Sequence, residues 1–376
     1  MKDCANYTPL STIRLSRYLL NTVVSRNDIT MKPKIGIIIV TYNSSKWIVP
    51  CLASVFGSNY DGEFTVYVVD NASNDDSVKL VKKEFLQAVS IHLPKNTGFA
   101  GGNNAGIKKA LDDGCEYIIL LNPDTRVEYD WLSQMERAAS SNSAGVMQGM
   151  LLLGNEQALT NNVGNALHYL GFGFVKHYRE RVDAWYHREP FEIQSCSGAC
   201  MLIKKEVIEK IGMLDEKLFM YHEDLDFSWR AQLAGFSVMI APQATVYHYY
   251  EFSRNKKLFY WTERNRLAVL LQNYCLRTLL LLLPMLVFIE FAMLGYSVLG
   301  RWARYKLLGY GWVIAHLPQI IATRRRVQKK RALSDREMIK RMEAKLEMSE
   351  VENPILKYIV SPIAVLYYRI IRNVVL

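Results

Sequence analysis

Residues 35–43 read Ile-Gly-Ile-Ile-Ile-Val-Thr-Tyr-Asn, an apolar, largely β-branched run that gives way abruptly to polar side chains. A run of that length without alternation suits a strand buried on both faces. Comparable runs recur at 64–69, 89–93 and 117–121, and stretches of helical length and periodicity lie between them at 46–56, 77–86 and 104–111. Strands alternating with helices predict an α/β domain with a mostly parallel sheet and flanking helices. Ligands bind beyond the carboxyl ends of such strands. Polar residues gather at those ends: Thr41-Tyr42-Asn43, Asp70-Asn71 and Asn122-Pro123-Asp124.

Outward from this frame, residues 152–194 break the rhythm. They are rich in Gly, Asn, His, Tyr and Arg and read as loops and irregular strands, the kind of insertion that forms a lid over an acceptor. Regular structure returns in a strand at 197–203, a helix at 204–211, a helix from Glu223 to Ala234 with Gly235 as C-cap, and a strand at 237–240. Beyond 276 the chain turns apolar at 278–299, 307–322 and 355–376. The first stretch is long enough to cross a bilayer but contains Pro284 and Glu290, and an embedded glutamate is costly there. The three are read as membrane-associated helices, a hairpin and an interfacial helix, against the alternative of a buried hydrophobic subdomain. Three regions result: an N-terminal extension at 1–31 without an apolar run of secretory length, an α/β domain at 32–275, and a membrane-associated helical region at 276–376.

The chain has 376 residues, half of them hydrophobic, and a formal charge of +10, which excludes a disordered or fibrous protein. The charge excess is local: residues 324–350 carry ten Lys/Arg against five Asp/Glu, beside apolar segments. Basic residues in that setting favour anionic lipid headgroups, so the expected partner is an anionic membrane surface and not nucleic acid. The six cysteines are scattered and read as reduced structural thiols.

Several residues have the chemistry of a site. Asp70 closes a strand, where a carboxylate accepts hydrogen bonds from a nucleobase or ribose, or simply caps the next helix. The Gly/Asn cluster from Asn96 through Gly98 and Asn104 to Gly106 lets backbone N–H groups approach a ligand, with a following helix aimed at anionic groups. Asp124, after Asn122 and Pro123, is a hard oxygen ligand suited to a divalent cation. Glu223, Asp224 and Asp226 crowd one helix start. The dipole alone favours acids there and Asp226 has Arg230 at i+4, yet one of the three is placed to act as a general base. His248 is a further candidate metal ligand, or a structural histidine.

In this order, over roughly residues 34–270, the segments resemble family two of the glycosyltransferases. The matching pieces are Val40-Thr41-Tyr42-Asn43, Val69-Asp70-Asn71-Ala72-Ser73, the Asn96–Gly106 cluster, Leu121-Asn122-Pro123-Asp124, Ser197-Gly198-Ala199 and Tyr221-His222-Glu223-Asp224-Leu225-Asp226. The nearest likeness is to bacterial rhamnosyltransferases of cell-envelope polysaccharide synthesis. The resemblance implies a GT-A fold and a nucleotide-sugar donor (dTDP-, UDP- or GDP-linked). Thr41, Asn43 and Asp70 would hold the nucleoside, with Tyr42, Asn71 and Asn122 also binding the donor; Asn96, Gly98 and Asn104 would line the pocket near the diphosphate, and Arg264-Asn265 would contact the donor or acceptor. Asp124 and His248 would ligate Mg²⁺ or Mn²⁺, and Asp224 would be the base, supported by Glu223, in an inverting displacement. The acceptor implied is linked to a polyprenyl diphosphate, at the cytoplasmic face of the cell membrane.

Two departures qualify the match. Asn122 stands where the usual Asp-x-Asp metal motif has its first Asp. The Gln-x-x-Arg-Trp motif of processive synthases is missing, since Val298 precedes Arg301-Trp302; the expectation is one sugar per encounter. A sugar-phosphate nucleotidyltransferase and a non-catalytic membrane-attached scaffold are the competing readings.

Overall fold

The computed structural model describes residues 32–250, 256–346 and 356–374. The extension expected at 1–31 lies outside the described residues, as do the ends of the 355–376 stretch.

The strands are β1 (Ile35–Thr41), β2 (Phe64–Asp70), β3 (Val89–His92), β4 (Tyr117–Leu121), β5 (Thr125–Val127), β6 (Ala144–Leu153), β7 (Glu156–Asn162), β8 (Asn165–Leu167), β9 (Gly173–Val175), β10 (Phe191–Glu192), β11 (Cys200–Lys204) and β12 (Ser237–His248). The helices are α1 (Ile48–Phe56), α2 (Ser77–Glu84), α3 (Gly98–Asp112), α4 (Trp131–Ser141), α5 (Asp183–Tyr186), α6 (Lys205–Ile211), α7 (Glu223–Leu233), α8 (Leu258–Asn273), α9 (Leu276–Leu299), α10 (Ala303–Ala315), α11 (Leu317–Lys330), α12 (Asp335–Arg341) and α13 (Ser361–Val374).

The main sheet runs β10-β12-β6-β11-β4-β1-β2-β3, with β5 on β12 and β7 on β6. Its β4-β1-β2-β3 half is parallel throughout. The other half is mixed: β11 lies antiparallel between β4 and β6, so the sheet is less parallel than the strand–helix rhythm suggests. Residues alternate along β1, with Ile37 and Ile39 in the core under α1 and α4. Ile38 enters the opposite core with α3 and α7. Burial on both faces explains the unbroken apolar run.

Helix α3 begins at Gly98, not near Asn104, so the Gly/Asn cluster is its first half and not a loop before it. The cause is proximity: a Cβ at Gly106 would collide with Ile38 of β1.

Two corrections concern the C-terminal third. The 307–322 stretch is split between α10 and α11 at His316. The helices after 276 also share one core with earlier elements: Leu282, Met285 and Ile289 of α9, Val313 of α10 and Ile320 of α11 pack with Tyr169, Trp229 and Leu270. The boundary expected at 275 therefore falls inside a continuous core. Glu290, the costly residue of the apolar stretch, faces inward. It pairs with Arg266 of α8 and with Lys306 of α10 at 2.7 Å, and accepts a hydrogen bond from Tyr310 at 2.6 Å. Arg266 and Lys306 also contact Glu263, so two acids and two bases balance in the interior. Arg324, counted among the basic excess, donates to the carbonyls of Leu271 and Tyr274 at the end of α8.

Candidate active site

At the carboxyl ends of β1 and β2, Thr41 and Asp70 stand side by side in register. The loops that follow are stitched together. The Asn43 N–H donates to Ser73 Oγ at 3.1 Å, and Asn43 Oδ1 accepts from the Asn74 N–H at 2.8 Å. Asn43 adopts φ 54° to do so, a conformation that Asn tolerates better than most residues. Asp70 accepts from the Ser73 N–H at 3.0 Å and faces His92 at 3.6 Å. Thr41 Oγ1 is buried without a hydrogen-bond partner, while Tyr42 is 47% exposed beside it.

The next layer is framework. Asn71 uses its whole amide within the chain, donating to the Gly98 carbonyl at 2.9 Å and accepting from the Thr97 N–H at 2.8 Å. Asn96 Oδ1 accepts from the Gly98 N–H at 2.8 Å, and the Ala100 N–H donates to the Phe219 carbonyl at 3.2 Å. Two of the first N–H groups of α3 are thus satisfied within the chain, which reduces what this helix end offers an anion. Gly98 has φ +75°, and a Cβ there would strike the Phe219 carbonyl; only glycine fits both constraints. Asn104 points elsewhere. It binds the backbone of Leu214 in both directions and Glu216, and lines a separate cavity of about 460 Å³ with Lys217, Arg230 and Arg326.

At the end of β4, the Asn122 N–H donates to the Ala199 carbonyl at 3.0 Å. Asp124 Oδ1 lies 3.5 Å from His248 Nε2 at the end of β12, and the Tyr249 N–H donates to the Asp124 carbonyl at 2.9 Å. The two ligands expected from sequence are thus brought together. His248 Nδ1 lies 3.1 Å from Asn161 Oδ1 on β7. A proton on Nδ1 makes that hydrogen bond and leaves Nε2, buried and without a hydrogen-bond partner, as a lone pair beside a carboxylate. This is the outer-shell arrangement that orients a metal-binding imidazole. Among the described residues no group of three His, Cys, Asp or Glu side chains gathers around one point. The pair suits an ion whose remaining positions go to phosphate oxygens and water, as is usual for Mg²⁺.

Asp224 is fastened to the segment that pairs with the end of β4. Its Oδ2 accepts from the Gly198 N–H at 3.0 Å and its Oδ1 from the Leu225 N–H at 2.7 Å. Gly198 adjoins Ala199, the partner of Asn122, so one short segment ties the end of β4 to the start of α7. Burial pushes the Asp224 carboxyl up, against the pull of those N–H groups. Glu223 is buried deeper, with one oxygen unpartnered; burial first, then the Asp224 charge, hold its carboxyl well above the usual range. Asp226 is engaged elsewhere, with Arg230 at 2.7 Å and Asn273 at 2.9 Å, as its i,i+4 spacing suggested.

The turn leading into α7 is unusual. Phe219, Tyr221 and His222 all have positive φ, of 66°, 66° and 67°, each costing ~1–3 kcal/mol for a residue with a Cβ. Arg264 and Asn265 hold it. Asn265 Nδ2 lies within 3.0 Å of the Leu218, Met220 and Tyr221 carbonyls. Arg264 donates to Lys217 and Leu218 carbonyls and stacks on Trp261 and Trp312. Arg264 is therefore committed to the backbone of this turn. Sequence reasoning missed Asn161, which hides in the irregular stretch, and singled out Asn265 as a donor or acceptor contact, not as the clamp of this turn, whose carbonyls lie over forty residues away.

Of the eight buried polar side-chain atoms without a partner among the described residues, four belong to Thr41, His222, Glu223 and His248. Native interiors hold few such atoms; Thr41 and His248 close strands, whereas His222 and Glu223 stand at the start of α7.

Residues 36–212 match the family model described as glycosyl transferase family 2, a span that ends before Asp224 and His248. The chain is similar to a low-salt glycan biosynthesis hexosyltransferase of Haloferax volcanii, with 27% identity over 54% of this chain and 63% of that protein. It is also similar to a dTDP-rhamnosyl transferase of Shigella flexneri, with 26% identity over 58% of this chain and 70% of that protein. An N-acetylglucosaminyl-diphospho-decaprenol L-rhamnosyltransferase of Mycobacterium tuberculosis is 23% identical over 58% of this chain and 77% of its own length. The match thus spans just under two-thirds of the first of these relatives. Among solved structures, GalNAc-T7 with UDP, GalNAc and Mn²⁺ superposes with a TM-score of 0.53 at 15% identity, over 64% of this chain and 48% of that one. That likeness establishes a GT-A-like fold.

Proposed function

We propose, from the match of residues 36–212 to the glycosyl transferase family 2 model, that the protein transfers one sugar from a nucleotide-sugar donor to a lipid-linked saccharide, with inversion. The observation that carries this reading is the facing pair Asp124 and His248, 3.5 Å apart, with Asp224 tethered to Gly198 in the turn that leads into β11. Rhamnose from a dTDP donor is the favoured sugar and a polyprenyl diphosphate the favoured acceptor carrier, because similar proteins bear those names.

Thr41, with its unpartnered hydroxyl, Asp70, Tyr42 and Asn43 receive the nucleoside. Asn71, Asn96 and Gly98 shape the floor beneath the diphosphate. Asp124 and His248 would hold Mn²⁺ or Mg²⁺, which supplies positive charge to neutralise a departing nucleoside diphosphate. Asp224 accepts the proton of the acceptor hydroxyl as that oxygen attacks the anomeric carbon. Direct displacement by one nucleophile inverts that centre. Glu223, Arg264 and Asn265 position the base.

The test incubates the purified chain with dTDP-rhamnose and a panel of UDP- and GDP-sugars, a polyprenyl-diphosphate-linked saccharide and Mn²⁺. The expected result is nucleoside diphosphate release with one sugar added per acceptor and inverted anomeric configuration by NMR. Pyrophosphate release would instead identify a nucleotidyltransferase, and no turnover of any donor a scaffold.

A further inference from the structure

We propose that the protein docks on an anionic lipid bilayer through a single apolar face built from α9, α10 and α13, with α9 lying along the membrane surface and not through it. This deepens the lipid-linked acceptor reading, but its test uses no transfer reaction, so the two fail separately.

Helix α9 is 24 residues long and apolar enough to cross a bilayer, yet little of it is buried. Its residues divide into two stripes. Thr278, Leu282, Met285, Ile289 and Ser297 face the protein. Leu276, Leu280, Leu283, Val287, Phe291 and Val298 are exposed, mostly at the spacings of three and four that mark one helix face. The inner stripe is fixed along its length. At its start the Cys275 N–H donates to Asp335 Oδ2 at 2.8 Å. In its middle Glu290 joins the buried charges Arg266 and Lys306, and just past its end the Gly300 carbonyl accepts from Lys256 at 2.9 Å. A helix bound to a polar body at beginning, middle and end cannot also be surrounded by lipid.

The neighbouring helix continues the face. Tyr367 of α13 donates to the Leu281 carbonyl at 2.7 Å and so joins α13 to α9. Its outer stripe is Ile363, Leu366, Ile370 and Val374, while Leu307, Leu308 and Ile314 of α10 are exposed as well. Uncovered apolar surface on this scale marks an interaction site.

Charge selects the occupant. Across 276–334 and 355–376 the only acidic side chain is Glu290, which is turned inward. Arg277, Arg301, Arg304, Lys357, Arg369 and Arg372 are all exposed on or beside the apolar helices. Among the described residues, this cluster of cations beside an apolar face complements a negatively charged bilayer, where each cation adds to binding. Against a second copy of the same face, that cluster is self-repelling.

The experiment has two arms with the full chain. In flotation, binding to vesicles of phosphatidylcholine with about 30% phosphatidylglycerol, an anionic lipid, should exceed binding to phosphatidylcholine alone by at least ~10-fold. Leu280→Glu with Leu366→Glu, both outward and outside the core, should abolish binding without lowering the melting temperature. In the second arm, a Cys4→Ser, Cys275→Ser background carries Arg277→Cys or Arg301→Cys, and sealed membrane vesicles from expressing cells meet an impermeant maleimide. Both sites should label from the same side. Labelling of one end from each side would overturn the proposal in favour of a spanning helix. Failure to float, with a dimer in solution that the two glutamates dissociate, would overturn it in favour of a second copy.

Discussion

Asp224 has one oxygen on the Gly198 N–H and the other on the Leu225 N–H, and burial opposes both by favouring the protonated form. Asp224→Asn keeps the shape while removing basicity, and turnover should fall by about 10²–10⁴-fold with donor binding nearly unchanged. Because the base acts ionised and its carboxyl is raised, kcat/KM should drop on the acid side at a pH above the ordinary aspartate value of ~3.9. That limb should vanish in the residual activity of the variant. Equal loss for Asp226→Asn at intact stability would move the base off Asp224. At the metal pair, Asn161→Ala releases the Nδ1 side of His248 and should weaken Mn²⁺ affinity by about 10–100-fold, read by titration in the presence of a nucleoside diphosphate. An unchanged affinity removes His248 from the ligand set. These strand-end residues were legible in the sequence because an apolar run ending in Asp or Asn is visible without coordinates. Asn161 was not, since nothing local distinguishes it from its polar neighbours.

The turn 218–222 is where elements meet. Its Phe219 carbonyl takes an N–H of α3, its far end becomes α7, and Asn265 of α8 holds it from beneath. Asn265→Ala should lower kcat by about 10–100-fold through misplacement of the following carboxylates, with little change in donor KM. Asn265→Asp keeps the volume but directs a carboxylate at three carbonyls, so it should be at least as harmful. A loss confined to donor KM would instead mark Asn265 as a donor contact. Two element boundaries escaped sequence reading for definite reasons. Helix α3 opens with Gly and Asn, both weak helix formers, which the close approach to β1 demands. Strand β12 runs past the 240 expected from sequence even though Pro242, which cannot donate to a ladder, follows. In the fold the pairing with β6 skips a register step between Ala241 and Thr245 and resumes to His248, and that resumption is what delivers His248 to Asp124.

Over the whole molecule, the buried quartet Glu263, Arg266, Glu290 and Lys306 joins the apolar C-terminal helices to the catalytic half. Burial alone would push the Glu290 carboxyl up; the Arg266 and Lys306 cations overcome it and hold it down at about 2. A carboxyl lowered on folding stabilises the protein above its unfolded value of ~4.3, and that contribution is lost as pH falls from there toward about 2. Glu290→Gln leaves two buried cations facing one acid and should cost ~3–5 kcal/mol at neutral pH. Denaturant melts of both forms between pH 7 and pH 3 should converge, and parallel curves would remove Glu290 from the account. Sequence alone showed a glutamate in an apolar stretch and could not show its partners, which come from two other helices.

The core that runs unbroken through 275 also governs how the protein can be handled at the bench. Trp229 of α7 and Leu270 of α8 lie against Leu282 and Val313, so cutting the chain after α8 would bare the back of the very helix that carries Asp224. A shortened, crystallisable form should aggregate on expression. Polar replacements on the outer stripe of α9 and α13, such as Leu280→Glu and Leu366→Glu, touch none of that interior. They are the route to a detergent-free preparation of the intact enzyme.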